Sequence, residues 1–399
     1  MTRPRTLALV LAGGAGGRLE LLTQERAKPA VPFAGTHKLI DFPLSNCVAS
    51  GISDVWVSQQ VNPVSLNDHL SGGRPWDLDR TRGGLLVLQP RLGRAGRDRS
   101  SDHGGFRHGT ADTIWRDARL MREFGPDVLV VLSADAVYRM DYGALVDEHM
   151  ASGRAVTMVT TRVDPEDAGR YGVVEVDDAG AVTAYAHKPD EPPSDLVSNE
   201  VFVVDPEALL GVLDDLAEEA GEDGLSDLGE AAWPRLVAEG EVREHRLEGY
   251  WRDVGTIPAY HAAHMDLLAG EPPLDLDDPA WPVLTREAAR RAPARVLAGG
   301  RVDGSALAPA SRVAGHVEGS VVGRGAVVEE GAVVRGSVLL PGAVVRSGAT
   351  VVRSVVDDGV EVGRGARVGA DDGDLALLGL RARVPDGAEL PAGARFPQV

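Results

Sequence analysis

The apolar positions of this chain follow two different rhythms. In the first, short continuous apolar runs recur at Leu7-Ala-Leu-Val-Leu11, Val55-Trp-Val57, Val128-Leu-Val-Val-Leu132, Val156-Thr-Met-Val159 and Val201-Phe-Val-Val204. Runs of this length, rich in β-branched residues, read as strands buried on both faces of a parallel sheet. Helical patterns lie among them at 113–124 and 142–152, and others follow at 205–216 and 260–268. Strands alternating with helices predict an α/β domain with a doubly wound, mostly parallel, Rossmann-like sheet. Ligands of such sheets sit at the carboxyl ends of the strands.

The second rhythm begins after Pro272-Pro273 and Pro279-Ala-Trp-Pro282, which mark an irregular linker. Residues 321–337, 338–354 and 355–371 align as three units, with 304–320 as a weaker fourth. Gly325, Gly342 and Gly359 correspond, as do Gly331, Gly348 and Gly365. Six-residue steps of Val, turn residues, Gly and Ala predict a left-handed parallel β-helix built from hexapeptides, with valines stacked inside and glycines at the corners. The repeat is expected to end at Asp371 and to leave a tail to Val399. The expected domains are 1–285 and 286–399. Flat outer faces on such a prism predict an oligomer, taken as a homotetramer.

Charge narrows the partners. The formal net charge is −19, which argues against nucleic acid or an anionic membrane as the main partner. The single cysteine, Cys47, fits a small core filler in a reducing cytosol. The start runs straight into a strand-like segment and suggests no signal peptide, and no apolar run is long enough for a membrane span. Only three lysines occur, Lys28, Lys38 and Lys188, each inside a short motif. In a chain that uses Arg for nearly every other cation, lysine is expected where a compact point charge is needed.

The first strand leads into Leu11-Ala-Gly-Gly-Ala-Gly-Gly-Arg18-Leu19, then Arg26-Ala-Lys28-Pro-Ala30. Glycines permit close approach of backbone N–H groups to phosphate, and a fork cation with a point cation could neutralise a triphosphate. The spacing fits neither the P-loop nor the dinucleotide fingerprint. An ordinary tight turn accounts for the glycines nearly as well. Asp135 follows the strand at 128–132, and Asp253 lies in Tyr250-Trp-Arg-Asp-Val-Gly-Thr256. Paired carboxylates at a phosphate site are natural Mg²⁺ ligands, whereas either alone reads as a cap or turn residue.

Taken in order, these segments resemble the bacterial glucose-1-phosphate adenylyltransferases, within the sugar nucleotidyltransferases. The likeness spans nearly the whole chain. It includes Leu11–Leu19, Arg26–Ala30, Asp41-Phe-x-Leu-Ser-Asn46, Gly109-Thr-Ala-Asp112, Asp135-x-x-Tyr138, Lys188-Pro189, Tyr250–Thr256, Trp281-Pro282 and the β-helix. The resemblance implies synthesis of ADP-glucose and pyrophosphate from ATP and glucose 1-phosphate. It implies that Arg18, Lys28 and Asp135 are catalytic. The nucleotide would meet Leu11, Ala12, Gly13, Gly14, Gly16, Gly17, Gln89, Gly109, Thr110, Ala111 and Asp112. The sugar phosphate would meet Tyr171, Gly172, His187, Lys188, Ser198, Asn199 and Glu200. Asp135 and Asp253 would hold Mg²⁺.

Several positions depart from that family's pattern. His187 replaces the Glu of Glu-Lys-Pro, Asn199-Glu200 replaces Met-Gly, and Ala136 replaces a His. Arg107 replaces an aromatic residue, and Ala15 and Gly17 replace bulkier ones. The changes fit neutral variation, a pocket re-tuned for another sugar or carbasugar phosphate or another NTP, or a non-catalytic regulatory paralogue. Retention of Arg18, Lys28, Asp135, Lys188 and Asp253 argues against the last. An acyltransferase role for the β-helix would need a catalytic His on a loop, and His316, the candidate, lies inside a coil. Thr36 and Lys38 stand where relatives carry activator-site residues, and they identify no effector.

Overall fold

A computed structural model describes residues 3–14, 16–89, 109–221, 224–286 and 292–398. Every apolar run of the first rhythm falls on a strand of one nine-stranded sheet. Thr6–Ala12 lies between Asp54–Gln59 and Val128–Ser133, and Gly84–Leu88 continues beyond Asp54–Gln59, all parallel. The helical segments are the helices Thr110–Phe124, Tyr142–Ser152, Pro206–Ala220 and Ile257–Asp266. Alternation divides the sheet's two faces. Leu7, Leu9, Leu129 and Val131 share a core with Ile114, Met121, Leu209 and Leu213, from the helices Thr110–Phe124 and Pro206–Ala220. Ala8, Val10, Val55, Val57 and Val130 face Leu44, Leu66 and Leu145 on the other side. This is the doubly wound layering that the sequence predicts.

The sheet is mixed rather than parallel throughout. Leu196–Val204 runs antiparallel to Val128–Ser133 and to Val156–Arg162, so Val201–Val204 does not lie in a parallel pairing. A continuous apolar run reports cover on both faces and carries no information on strand direction.

The second rhythm is a prism of three six-stranded parallel sheets, in keeping with a left-handed β-helix. Val313, Val328, Val345, Val362 and Val384 pair in register along one interior column, and Val317, Val334, Val351 and Val368 along another. The six corner glycines named above all have φ between 65° and 73°. A side chain would be strained there, which explains their period. The expected end at Asp371 is corrected by the structure. Strands at Ala376–Leu378, Arg383–Val384, Glu389–Leu390 and Arg395–Phe396 add a further coil. Irregular residues around Asp371–Asp374 lengthen the step between coils, and that hid the repeat.

The two assemblies share a core. Leu19, Leu21, Leu22, Phe33 and Phe42 pack with Val338, Leu340, Val355, Leu375 and Leu377 from one outer face of the prism. Arg26 reaches Asp357 at 2.9 Å, and both side chains are buried. Burial raises the Asp357 carboxyl to about 6, against the lowering influence of Arg26. No helix among the described residues is long and apolar enough to cross a membrane.

Candidate active site

The site lies at the carboxyl end of Thr6–Ala12, where an open cavity of about 350 Å³ begins. Leu11, Gly13, Gly14 and Arg18 line it, with Ser133 and Asp135 from the neighbouring strand end. Gly16 has φ 68°, and a Cβ there would come within 3.0 Å of the Lys28 side chain. The loop therefore turns back over Lys28, and Gly17 opens the short helix Gly17–Thr23 that carries Arg18.

A two-stranded ladder builds the acidic end. Ala136–Tyr138 pairs antiparallel with Trp251–Asp253, setting Asp253 opposite Ala136 and next to Asp135. Residues more than a hundred positions apart thus arrive at one point. Lys28, only 5 % exposed, forms an ion pair with Asp135 at 2.8 Å. Burial alone would lower the Lys28 ammonium, but Asp135, Asp253 and Glu200 outweigh it and raise it. The Asp253 carboxyl is raised, first by burial and then by Asp135, although Lys28, Arg18 and Arg170 pull it down. A Cβ on Gly255 would come within 3.0 Å of both Asp253 oxygens and 3.2 Å of the Arg18 guanidinium, so these two groups lie side by side.

Glu200 completes the cluster through strand irregularity. The pairing of Leu196–Val204 with Val156–Arg162 shifts register between Ser198 and Phe202, and Glu200 takes φ 60°. The bulge aims Ser198 and Glu200 into the cavity. Protein surrounds the Glu200 carboxylate closely, yet the residue is exposed on the cavity lining. Its carboxyl is raised by desolvation and by Asp135, and lowered by a hydrogen bond from Ser133.

The far wall holds Gly172, Tyr185, His187 and Lys188, with Asp227 and Gly229 packed against Tyr185 and His187. Lys188 has φ 46°, and its N–H donates to the Tyr171 carbonyl at 2.9 Å. Asp227 accepts from the N–H and hydroxyl of Thr110 at 2.9 and 3.2 Å, so it caps the helix behind the cavity. Gly109 has extended backbone, but a Cβ there would lie 2.4 Å from the Ser226 carbonyl. Close approach requires that glycine.

Not every expected residue reaches the cavity. Ala12 is core, and Ala111 and Asp112 are buried in the first turn of their helix, where Arg116 donates to both Asp112 oxygens at 2.9 and 2.8 Å. Gln89 is exposed beyond the edge strand Gly84–Leu88. Asn199 points away from Ser198 and Glu200 and is buried with neither amide atom hydrogen-bonded. Tyr171 packs against Trp251, with ring centroids 5.5 Å apart, rather than lining the space. Lys28 and Asp253 stand behind Asp135 instead of on the lining. Ala136 is buried within the ladder, opposite Asp253, while Ala15 and Arg107 lie outside the described residues. Sequence reasoning missed Tyr185 and Asp227. Asp227 sits in a loop without periodicity, and its only visible signal was the neighbouring Gly229.

A mixed sheet with a glycine-rich first loop and two converging aspartates defines a nucleotidyl transferase. That family matches residues 7–270, and a GlmU-like C-terminal hexapeptide family matches residues 289–376. A glucose-1-phosphate adenylyltransferase of Acetivibrio thermocellus is 33 % identical over 98 % of this chain and 92 % of its own length. Enzymes of the same name from Thermomicrobium roseum and Thermotoga maritima are 42 % and 38 % identical over 75 % and 82 % of this chain, covering 68 % and 76 % of theirs. The chain belongs to the glucose-1-phosphate adenylyltransferase family.

Proposed function

We propose that this chain joins ATP to glucose 1-phosphate, releasing pyrophosphate and ADP-glucose. The observation that carries the reading is the ladder that sets Asp253 beside Asp135, next to Lys28 and Arg18. In the reaction an oxygen of the sugar phosphate bonds to the α-phosphorus of ATP. The bond from that phosphorus to the bridging oxygen breaks, and its electron pair leaves with pyrophosphate. The attacking oxygen is already anionic, so no side chain need remove a proton. Catalysis then consists of positioning and charge neutralisation.

Each group has a part in this reading. N–H groups around Gly13 and Gly14 and the Arg18 fork meet the triphosphate. Lys28, already drawn to Asp135, turns toward charge developing on the reacting phosphates. Lys188, held at positive φ, grips the phosphate of the sugar phosphate. Tyr185, His187, Asp227 and Glu200 offer acceptors to sugar hydroxyls.

Enzymes of this class use a divalent metal. The donor set suits one: Asp253 and Glu200 are both raised by burial and by Asp135, which marks a site short of positive charge. We propose that Asp135 and Asp253 would hold Mg²⁺, which would supply neutralisation of phosphate charge there. His187, Asp227 and Glu230 also come close enough to share a cation. Thr110 already engages Asp227, and Lys188 stands next to His187, so that trio is read as sugar wall. A homotetramer and a cytosolic location belong to the same proposal. One prism face is taken up within the chain, leaving two for subunit contact.

A pyrophosphate-release assay with Mg²⁺, crossing four NTPs with several sugar 1-phosphates, tests the reaction. Turnover with ATP and glucose 1-phosphate is expected. Turnover only with another sugar phosphate would show a re-tuned wall, and bound ATP without turnover would show a regulatory chain.

A further inference from the structure

The loop that carries Arg18 is fastened at its back to the end of the β-helix. Two residues after Arg18 the chain kinks within Gly17–Thr23: Glu20 takes φ 50°, ψ −123°. That region suits glycine and strains an L-residue, so it persists only where surroundings hold it. Arg395 supplies the hold. Its Nη2 donates to Glu20 Oε1 at 3.0 Å, and its Nε donates to Oε2, a two-pronged contact across nearly the full chain. The fork is itself fixed, because Nη1 donates to the carbonyls of Leu375 at 2.8 Å and Gly393 at 3.1 Å, and more distantly to that of Ala394 at 3.4 Å. Next to Glu20, Leu21 packs on Gly379, where a Cβ would lie 3.2 Å from Leu21.

We propose that Arg395, in the last coil of the β-helix, is a positioning residue for nucleotide binding: it holds the strained turn at Glu20 and thereby aims Arg18 at the phosphates. The proposal rests on the reading of Arg18 as a phosphate contact. The pair is a poor stabiliser of the whole fold, since the Arg395 and Glu20 side chains are 33 % and 39 % exposed and solvent screens them. Its effect is therefore expected on geometry rather than on global unfolding. The coil that escaped the sequence repeat would then be part of the nucleotide site's support.

Glycine at position 20 separates this from a merely structural role. Arg395→Ala and Glu20→Ala should each weaken Mg²⁺-ATP binding, read by titration calorimetry, about five- to tenfold. KM for glucose 1-phosphate should stay within about twofold, and Tm should move by no more than about 2 °C. Glu20→Gly also loses the ion pair, yet it adopts the kink without strain, so it should restore ATP affinity to within about twofold of wild type. Arg395→Lys should recover only part, because an ammonium has no fork. Amide hydrogen exchange across residues 17–24 should rise in Arg395→Ala and Glu20→Ala but not in Glu20→Gly. Unchanged ATP affinity in both alanine variants, or Glu20→Gly as weak as Glu20→Ala, would overturn the proposal. If the wild-type chain binds no ATP, the nucleotide reading fails, while the exchange pattern still decides whether Arg395 holds the turn.

Discussion

The β-helix and the mixed sheet bury comparable apolar residues, but they differ in where their special backbone positions lie. In the prism, left-handed conformations fall mostly on glycines that return at every coil, with Ala310, Arg353 and Arg381 as exceptions. Each coil repeats its neighbour's environment, so one solution to the corner serves all. In the other half, two non-glycine residues at positive φ, Lys188 and Glu200, line one cavity, and a third, Glu20, kinks the back of the loop that carries Arg18. The regular half is a platform, and the irregular half concentrates strain and unbalanced charge where ligands would bind. Substitutions should therefore divide by place: those at the cavity change rates, those in the buried joint between the halves change stability, and Arg395 is the exception because it braces the loop of Arg18.

The largest effect should come from Asp135→Asn and Asp253→Asn. Each should lower kcat by about 10³ or more, roughly 4 kcal/mol of barrier. Asp253→Asn should not lower Tm, because Asp253 already suffers from burial and from the charge of Asp135. A rate loss under about tenfold in either variant would detach that aspartate from the chemistry.

Arg26→Ala should do the reverse. It leaves Asp357, 0 % exposed, as an unpaired buried charge. A loss of about 3 kcal/mol in urea unfolding is expected, with kcat per folded molecule largely kept. Replacing both partners, as Arg26→Met with Asp357→Leu, should recover most of that stability. If Arg26→Ala instead abolishes turnover at full stability, the division between platform and site is wrong.

How much of this was legible in the sequence follows the same division. The prism was read from Gly325, Gly342 and Gly359 because a corner that needs positive φ must return at fixed spacing. It was lost after Asp371, where irregular residues break the step although Val384 still stacks on Val362. In the sheet, the runs at 7–11 and 128–132 marked strands, but nothing in them told that Leu196–Val204 turns antiparallel. Asp135 and Asp253 were singled out, yet their meeting depends on a three-residue ladder that has no local signature. Asp112 shows the opposite error. It lies in a legible motif, but the helix turns it inward to Arg116. Motif membership marks a segment, whereas side-chain direction is set by the elements packed around it.

A smaller effect should sharpen the site itself. Lys188→Ala should raise KM for glucose 1-phosphate about 30-fold, near 2 kcal/mol, while KM for ATP stays within about twofold. Equal losses toward both substrates would mean that the strained φ of Lys188 supports the whole cavity rather than one phosphate.

The mildest test concerns acid. His264 lies where the Phe33–Ala34 turn meets the helix Ile257–Asp266, and burial pushes its imidazole down to about 3. Its Nδ1–H donates to the Tyr260 carbonyl at 2.8 Å, and Nε2 accepts from the Ala34 N–H at 3.1 Å, so only the neutral ring fits. The unfolded chain takes up this proton near pH 6.5, while the folded chain refuses it until about pH 3. Between those values the unfolded state binds more protons, so stability is full above pH 6.5 and falls as pH drops. The slope from this one group is about 1.4 kcal/mol per pH unit. Tm should therefore decline from pH 7 to pH 5 in the wild type and decline less in His264→Gln. An equal slope in the variant would assign the acid sensitivity to other groups and leave His264 as packing alone.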